Sequence, residues 1–193
     1  MRFVNIHTHH PTGLHIEPAS AGIHPWDAGM AVDETMLDSI AQAAIIGETG
    51  LDFICGVPRQ RQEDILRMQL QLAEKSGKPV ILHCVKAFEP MMKILDGYML
   101  QSVIFHGFIG SEQQARQAVG KGYFLSFGDR TFRSPKTVGA LRCTPLQNLF
   151  LETDDAPVAI EEVYRKAANV KELTINELQD AILDNYQRIF QHQ

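Results

Sequence analysis

Arg2-Phe3-Val4-Asn5-Ile6-His7-Thr8-His9 reads as a short strand that ends in two histidines. Side chains at i and i+2 of a strand share a face, so the two imidazoles can reach one cation without a loop folding back. Taken alone, a chance histidine-rich start, with His10 beside the pair, explains the stretch equally well. The pattern recurs, however. Ala44-Ile45-Ile46-Gly47 runs into Glu48, Val80-Ile81-Leu82 into His83, Ser102-Val103-Ile104-Phe105 into His106, and Leu149-Phe150-Leu151 into Glu152-Thr153-Asp154. A reactive side chain at the carboxyl end of each apolar run is what the rim of a β/α barrel needs. Chance would scatter polar residues along the strands instead.

Between these runs the apolar residues recur at helical spacing, which argues for an α/β fold with a parallel sheet, arranged as an incomplete TIM-type (β/α) barrel whose gap is either closed by wider spacing and side chains or left open. Asp33 is placed as an N-cap before Met36, Ile40 and Ala43. A helix is expected over 62–76, closed by Gly77 and kept from continuing by Pro79, with an irregular stretch over 49–61 before it. Pro90 suits a first helical turn. Ser111 with Gln114, and Thr174 with Glu177, have capping-box spacing. Tyr123-Phe124-Leu125-Ser126-Phe127 adds a strand, and a short helix is expected around Thr137–Leu141. Ser20-Ala21-Gly22-Ile23 leads to His24-Pro25, where proline removes a ladder donor. The link from His9 to Ser20 is too short for a crossover helix plus a strand, so seven parallel strands are expected rather than eight.

Composition sets the outer bounds. The chain has 193 residues, 45% hydrophobic and 21% charged, enough for one globular domain over 1–193 with a real core. No apolar stretch reaches the ~18 residues of a membrane span, so no membrane partner is expected. The opening lacks the basic region, apolar run and cleavage site of a secretory signal. Cys55, Cys84 and Cys143 are odd in number and share no CxxC spacing, which fits a reduced, cytoplasmic setting. A net charge of −5 gives no broad basic footprint, so no stable nucleic-acid complex is expected.

His7, His9, Glu48, His83, His106 and Asp154 therefore stand at equivalent strand ends. Imidazole nitrogen and carboxylate oxygen suit zinc, manganese or similar divalent ions. Two neighbouring ions need one ligand that touches both, which a carboxylate can do and an imidazole cannot, and Glu48 is the candidate. Singly, each residue has a plainer alternative as a hydrogen-bonded rim side chain.

In order and context, these pieces resemble the TatD family of metal-dependent hydrolases. They are His7-Thr8-His9, Gly22-Ile23-His24-Pro25, Ile46-Gly47-Glu48-Thr49-Gly50-Leu51-Asp52, Pro79-Val80-Ile81-Leu82-His83, His106-Gly107-Phe108-Ile109-Gly110-Ser111, Leu151-Glu152-Thr153-Asp154 and the tail Asn185-Tyr186-Gln187-Arg188-Ile189-Phe190. The resemblance implies two divalent ions (Zn, Mn, Mg or Ni), one held by His7, His9, Glu48 and Asp154, the other by Glu48, His83 and His106. It also implies phosphodiester hydrolysis, probed most simply as deoxyribonuclease action on small phosphodiesters or single-stranded DNA ends. Asp154 would hold and deprotonate the attacking water, with Glu48 and His24 as its catalytic companions. Three departures stand out: the helix-strand unit between the first motif and Gly22 is missing, Lys86 replaces the usual arginine, and Gly107 follows His106. Lysine offers a point charge rather than a planar fork.

Other residues have two readings each. His24 contacts a substrate phosphate or shuttles a proton, or else packs against Trp26. Asp52 orients a metal ligand from behind or caps a turn. Cys84 alternates away from His83 and reads as core. Arg59, Arg61, Arg130, Arg133 and Lys136 form a local basic rim or are scattered surface charge. Two rival functions keep the same residues: hydrolysis of a small lactone, amide or ester, and a barrel that binds metal without turnover.

Overall fold

The strand-helix alternation is realised in the computed structural model, which describes residues 2–190. In chain order the elements are β1 (Ser20–Ala21), α1 (Glu34–Gln42), β2 (Ile45–Asp52), α2 (Arg59–Ser76), β3 (Val80–Val85), α3 (Phe88–Leu95) and β4 (Val103–Phe105). These are followed by α4 (Glu112–Gly120), β5 (Phe124–Phe127), α5 (Pro135–Cys143), β6 (Leu149–Leu151), α6 (Ile160–Lys171) and α7 (Ile175–Phe190). The chain divides into two compact units, one over 19–105 and one comprising the described residues up to 18 and from 106 on. Among the described residues no helix is long and apolar enough to cross a membrane.

In the 19–105 unit, β1, β2, β3 and β4 pair in parallel and in chain order. Asp33 caps α1 as expected, its Oδ1 accepting the Met36 N–H at 2.9 Å. Gly77 ends α2 at φ +66, the left-handed turn that glycine makes without steric cost. Two boundaries differ from the sequence reading. Helix α2 begins at Arg59 rather than 62, because Pro58 presets the entry and its carbonyl accepts the Gln62 N–H at 3.1 Å. Strand β2 does not stop at Glu48 but continues to Asp52, with Gly50 opposite His83 and Asp52 opposite Val85.

The reason β2 continues lies in its register. Ile46 pairs with Val80 and Thr49 with Leu82, so Gly47 and Glu48 together oppose Ile81 alone. Such a bulge twists a strand locally and re-aims a side chain. A Cβ at Gly47 would lie 2.4 Å from the Ile81 carbonyl oxygen, and one at Gly50 would lie 2.0 Å from that of His83. Only glycine lets β2 approach β3 so closely on both sides of Glu48.

Helix α2 also carries two buried glutamines, Gln62 and Gln69, seven residues and hence about two turns apart on one face. Gln62 Oε1 accepts the Asp52 N–H at 2.8 Å, and its Nε2 donates to the Asp52 and Val57 carbonyls at 3.0 and 2.9 Å. Gln69 grips Ile23 on both backbone groups, at 2.7 and 3.1 Å, and donates to Thr49 Oγ1 at 2.6 Å. The helix thus fixes the backbone beside His24, Glu48 and Asp52. Cys84, read as core, is half-buried, and burial pushes its thiol up to about 12.

In the other unit β5 and β6 pair in parallel, with Leu125 opposite Leu149 and Phe127 opposite Leu151. The fully buried side chains there include Ile6, Phe127, Phe150 and Tyr164, whose hydroxyl donates to the Val4 carbonyl at 2.9 Å. The expected first strand, Arg2–Ile6, is not a continuous ladder, so the named strands among the described residues number six. The segment is held by isolated parallel bridges, Val4 to Ile16 and Thr8 to Asp154. The cause is Asn5, whose buried amide takes the Thr153 N–H and donates to Thr153 Oγ1, both at 2.9 Å. A side chain thereby satisfies groups that a ladder would have paired. From His9 to Ser20 the chain forms no helix, as the short spacing requires.

The capping boxes at Ser111–Gln114 and Thr174–Glu177 both form. In the 3-10 turn Asp129–Arg133, the Asp129 carboxylate accepts from Arg133 at 2.7 Å and from Lys166 Nζ at 2.9 Å. Those two hydrogen bonds hold its pKa below the usual 3.8. A depressed carboxylate stabilises the folded chain above its unfolded pKa, and that contribution is lost as pH falls through the folded value. Asp129→Asn is therefore expected to cost on the order of 1 kcal/mol at pH 7, kept small by the exposure of both cations. The difference should vanish below the acid limb, as read from urea melts across pH.

Candidate metal sites

In the 19–105 unit the register described above brings three sequence-chosen side chains together. His24 follows β1, Glu48 lies in the β2 bulge and His83 lies on β3; one donor atom from each lies within 4.8 Å of the others. Glu48 Oε2 stands 3.7 Å from His24 Nε2 and 3.5 Å from His83 Nδ1. The other imidazole nitrogen of His83, Nε2, is 3.4 Å from Asp52 Oδ2. Asp52 is itself anchored, accepting from Trp26 Nε1 at 2.7 Å and from the Ile54 N–H at 3.0 Å. Burial works to raise the Asp52 carboxyl. The hydrogen bonds from Trp26, Ile54 and His83 outweigh it and hold the group below its usual value. The packing reading of His24 is realised, since its ring meets Trp26 edge-on at 4.8 Å, and the same ring stands beside the Glu48 carboxylate.

In the other unit His7, His9 and Asp154 each place a donor atom within 4.8 Å of the rest. Asp154 Oδ1 lies 3.4 Å from His9 Nε2 and 3.8 Å from His7 Nε2. The backbone sets this up: the Asp154 N–H donates to the His7 carbonyl at 3.2 Å, and the His9 N–H to the Asp154 carbonyl at 3.0 Å. His106 packs edge-on to His7 at 4.7 Å and falls in a second cluster with Glu152 and Asp154. Its Nδ1 is 3.4 Å from Glu152 Oε1, which also accepts the Gly107 N–H at 2.6 Å.

Glu152 was not among the sequence-chosen residues. It is fully buried, which works to raise its carboxyl, yet the His106 hydrogen bond, the charges of His106 and His7 and the Ser126 hydroxyl hold it below its usual value. Its signal was its place: it continues the β6 apolar run and sits two residues before Asp154, on the same face in an extended chain. Gln62 and Gln69 are the other residues bound to this chemistry that the sequence reading passed over, and Trp26, read there only as a packing partner of His24, joins it through Asp52.

The donor spacings fit a divalent ion. Two ligands about 2.1 Å from a tetrahedral ion sit about 3.4 Å apart. The pairs His9–Asp154 and His83–Glu48, at 3.4 and 3.5 Å, have that separation, which is long for a charge-assisted hydrogen bond. Imidazole nitrogens with carboxylate oxygens are the donor set of such ions. Asp154 and Lys86 also share a backbone feature, φ of +55 and +53. Left-handed non-glycine residues cost on the order of 1–3 kcal/mol and concentrate at functional sites. Lys86 is exposed just after β3. Of the basic residues, Arg61 holds the carbonyls of Ala28 and Met30, Arg133 pairs with Asp129, and Arg130 lies 3.5 Å from Asp155.

Comparison with known proteins matches residues 17–191 to the family described as TatD related DNase. A protein of Bacillus subtilis (strain 168), named uncharacterized metal-dependent hydrolase YabD, is 29% identical over 89% of this chain and 76% of its own length. The 3'-5' ssDNA/RNA exonuclease TatD of Cronobacter sakazakii is 34% identical over 70% of this chain, which spans only 56% of that enzyme. Among solved structures, the TatD homolog YJJV of Escherichia coli K12 superposes with a TM-score of 0.79 at 29% identity, over 91% of this chain and 77% of that one. The α/β fold class expected from the strand ends is thus that of solved TIM-barrel relatives.

Proposed function

The chain belongs to the TatD-related DNase family and is a metal-dependent hydrolase of that family, and from this premise we propose that the bond it cleaves is a phosphodiester. The substrates are small phosphodiesters or single-stranded DNA ends, a reading supported by the relative named as a 3'-5' ssDNA/RNA exonuclease. The observation that carries the reading is the pair of carboxylate-imidazole spacings at Asp154 and Glu48, each matched to a shared divalent ion. Three free cysteines support a reduced, cytoplasmic setting.

When bound, zinc, manganese, magnesium or nickel would lower the pKa of water and neutralise phosphate charge. His7, His9 and Asp154 would hold one ion, and Glu48 with His83 another, with His106 turned toward the first set. Asp154 takes the proton of the attacking water, as a carboxylate held by neighbouring imidazoles and backbone can. His24 donates to a phosphate oxygen, and Asp52 fixes the ring of His83 from behind. Lys86 attracts the anionic substrate from the rim.

The test is a panel of bis-(p-nitrophenyl) phosphate, a short single-stranded oligonucleotide, a lactone and an amide, each with added manganese or zinc. Hydrolysis of the first two is expected. Lys86→Ala should raise KM several-fold and change kcat little, since a point charge at the rim assists binding in ground and transition state alike. Turnover of the lactone or amide alone, indifferent to Lys86, would replace this reading with the rival hydrolase. Metal-replete protein that hydrolyses nothing on the panel would remove it.

A further inference from the structure

Trp26 is the chain's single tryptophan, and it is placed unlike a core residue. It is 62% exposed, yet it is tied down at both ends. The indole Nε1 donates to Asp52 Oδ2 at 2.7 Å, and the backbone N–H donates to His24 Nδ1 at 3.2 Å. The ring stands edge-on to His24 at 4.8 Å and 6.2 Å from His83, beside the Glu48 donor cluster. The same Asp52 carboxylate takes the N–H of Ile54, whose side chain is 72% exposed. Asp52 is in turn locked by Gln62. An aromatic side chain used only for packing would bury its faces. Here a buried carboxylate and a helix hold one open and still.

We propose that Trp26 is a stacking platform for the nucleobase next to the scissile phosphate, which makes it a substrate-binding residue that selects nucleotides over base-free phosphodiesters. The inference rests on the phosphodiesterase reading and deepens it. Aromatic stacking is tolerant of base identity because every base has a π-face, so the platform would give preference for a base without preference among bases. Asp52 Oδ2 faces both the indole Nε1 and His83 Nε2. One carboxylate therefore sets the platform in register with a metal donor, so a stacked base would place its phosphate relative to His83 and Glu48.

Because the chain has one tryptophan, its emission, excited to the red of the tyrosine absorption, reports this ring alone. The full-length, zinc-replete protein is titrated with dTMP, with dAMP and with base-free deoxyribose 5-phosphate. Both nucleotides should quench the emission to saturation, and the sugar phosphate should leave it near its starting value at the same concentrations. In turnover, Trp26→Ala should raise the ratio of KM for a dinucleotide to KM for its abasic counterpart by about tenfold. Trp26→Phe, which keeps a ring and loses the Asp52 bond, should recover most of that ratio. Equal fluorescence responses to dTMP and to the sugar phosphate would overturn the proposal. So would an unchanged KM ratio in Trp26→Ala, which would assign the ring a structural role. A chain that hydrolyses no phosphodiester, yet whose tryptophan is quenched to saturation by nucleotides alone, would keep the platform and lose the phosphodiesterase reading.

Discussion

Asp154→Asn is expected to slow saturated turnover by about two decades or more, the scale on which a positioned base is lost, while the protein folds normally. The carboxylate lies 3.4 Å from His9 Nε2 and 3.8 Å from His7 Nε2, where, in the proposed mechanism, its charge would serve both an ion and a water proton. The asparagine amide keeps the shape but has no basic oxygen of that strength. Folding should survive because the residue is locked by its backbone, through the His7 carbonyl and the His9 N–H, and these bonds need no carboxylate. Asparagine is also among the residues that best tolerate φ near +55. The check is kcat on bis-(p-nitrophenyl) phosphate with saturating metal, alongside a thermal melt. A rate within tenfold of the parent would take the base role from Asp154.

Gln69→Leu is expected to cost about 3 kcal/mol or more of folding stability, although the two side chains have similar volume. Gln69 has no exposed surface, and its amide satisfies the Ile23 N–H, the Ile23 carbonyl and the Thr49 hydroxyl. Leucine would leave those groups buried without partners, at about 1–3 kcal/mol for each group that water cannot reach. Ile23 precedes His24 and Thr49 follows Glu48, so kcat should fall together with stability. Urea unfolding at neutral pH reads the first effect and the steady-state rate the second. A stability change below about 1 kcal/mol would mean that water or neighbouring groups replace the glutamine.

The strand ends were legible because the chemistry sits immediately after runs that read as nothing but buried strand. Val80-Ile81-Leu82 hands over to His83, and Leu149-Phe150-Leu151 leads within three residues to Asp154. What escaped the sequence was whatever depends on a contact distant along the chain. Gly47 and Gly50 look like breakers in one dimension, but they are the residues thin enough to let β2 run past Glu48 against β3. Gln62 and Gln69 look like interruptions of an apolar face until Asp52 and Ile23 are placed opposite them. Asn5 reads as an ordinary strand residue, whereas its pairing with Thr153 is what breaks the first ladder. Helix α5 is longer than the expected 137–141, because the Ser134 cap and Pro135 in the first turn start it earlier than its apolar spacing suggests.

The central claim is that these histidines and carboxylates hold divalent ions on which hydrolysis depends. The most direct measurement strips the protein with a chelator and adds manganese or zinc back in steps, following bound metal by elemental analysis and bis-(p-nitrophenyl) phosphate hydrolysis in the same samples. Hydrolysis is expected to fall to background on stripping and to return as up to two equivalents bind, with less metal retained by His9→Ala and by His83→Ala. A chain that takes up no divalent ion, or one that hydrolyses phosphodiesters at full rate in chelator, would contradict it.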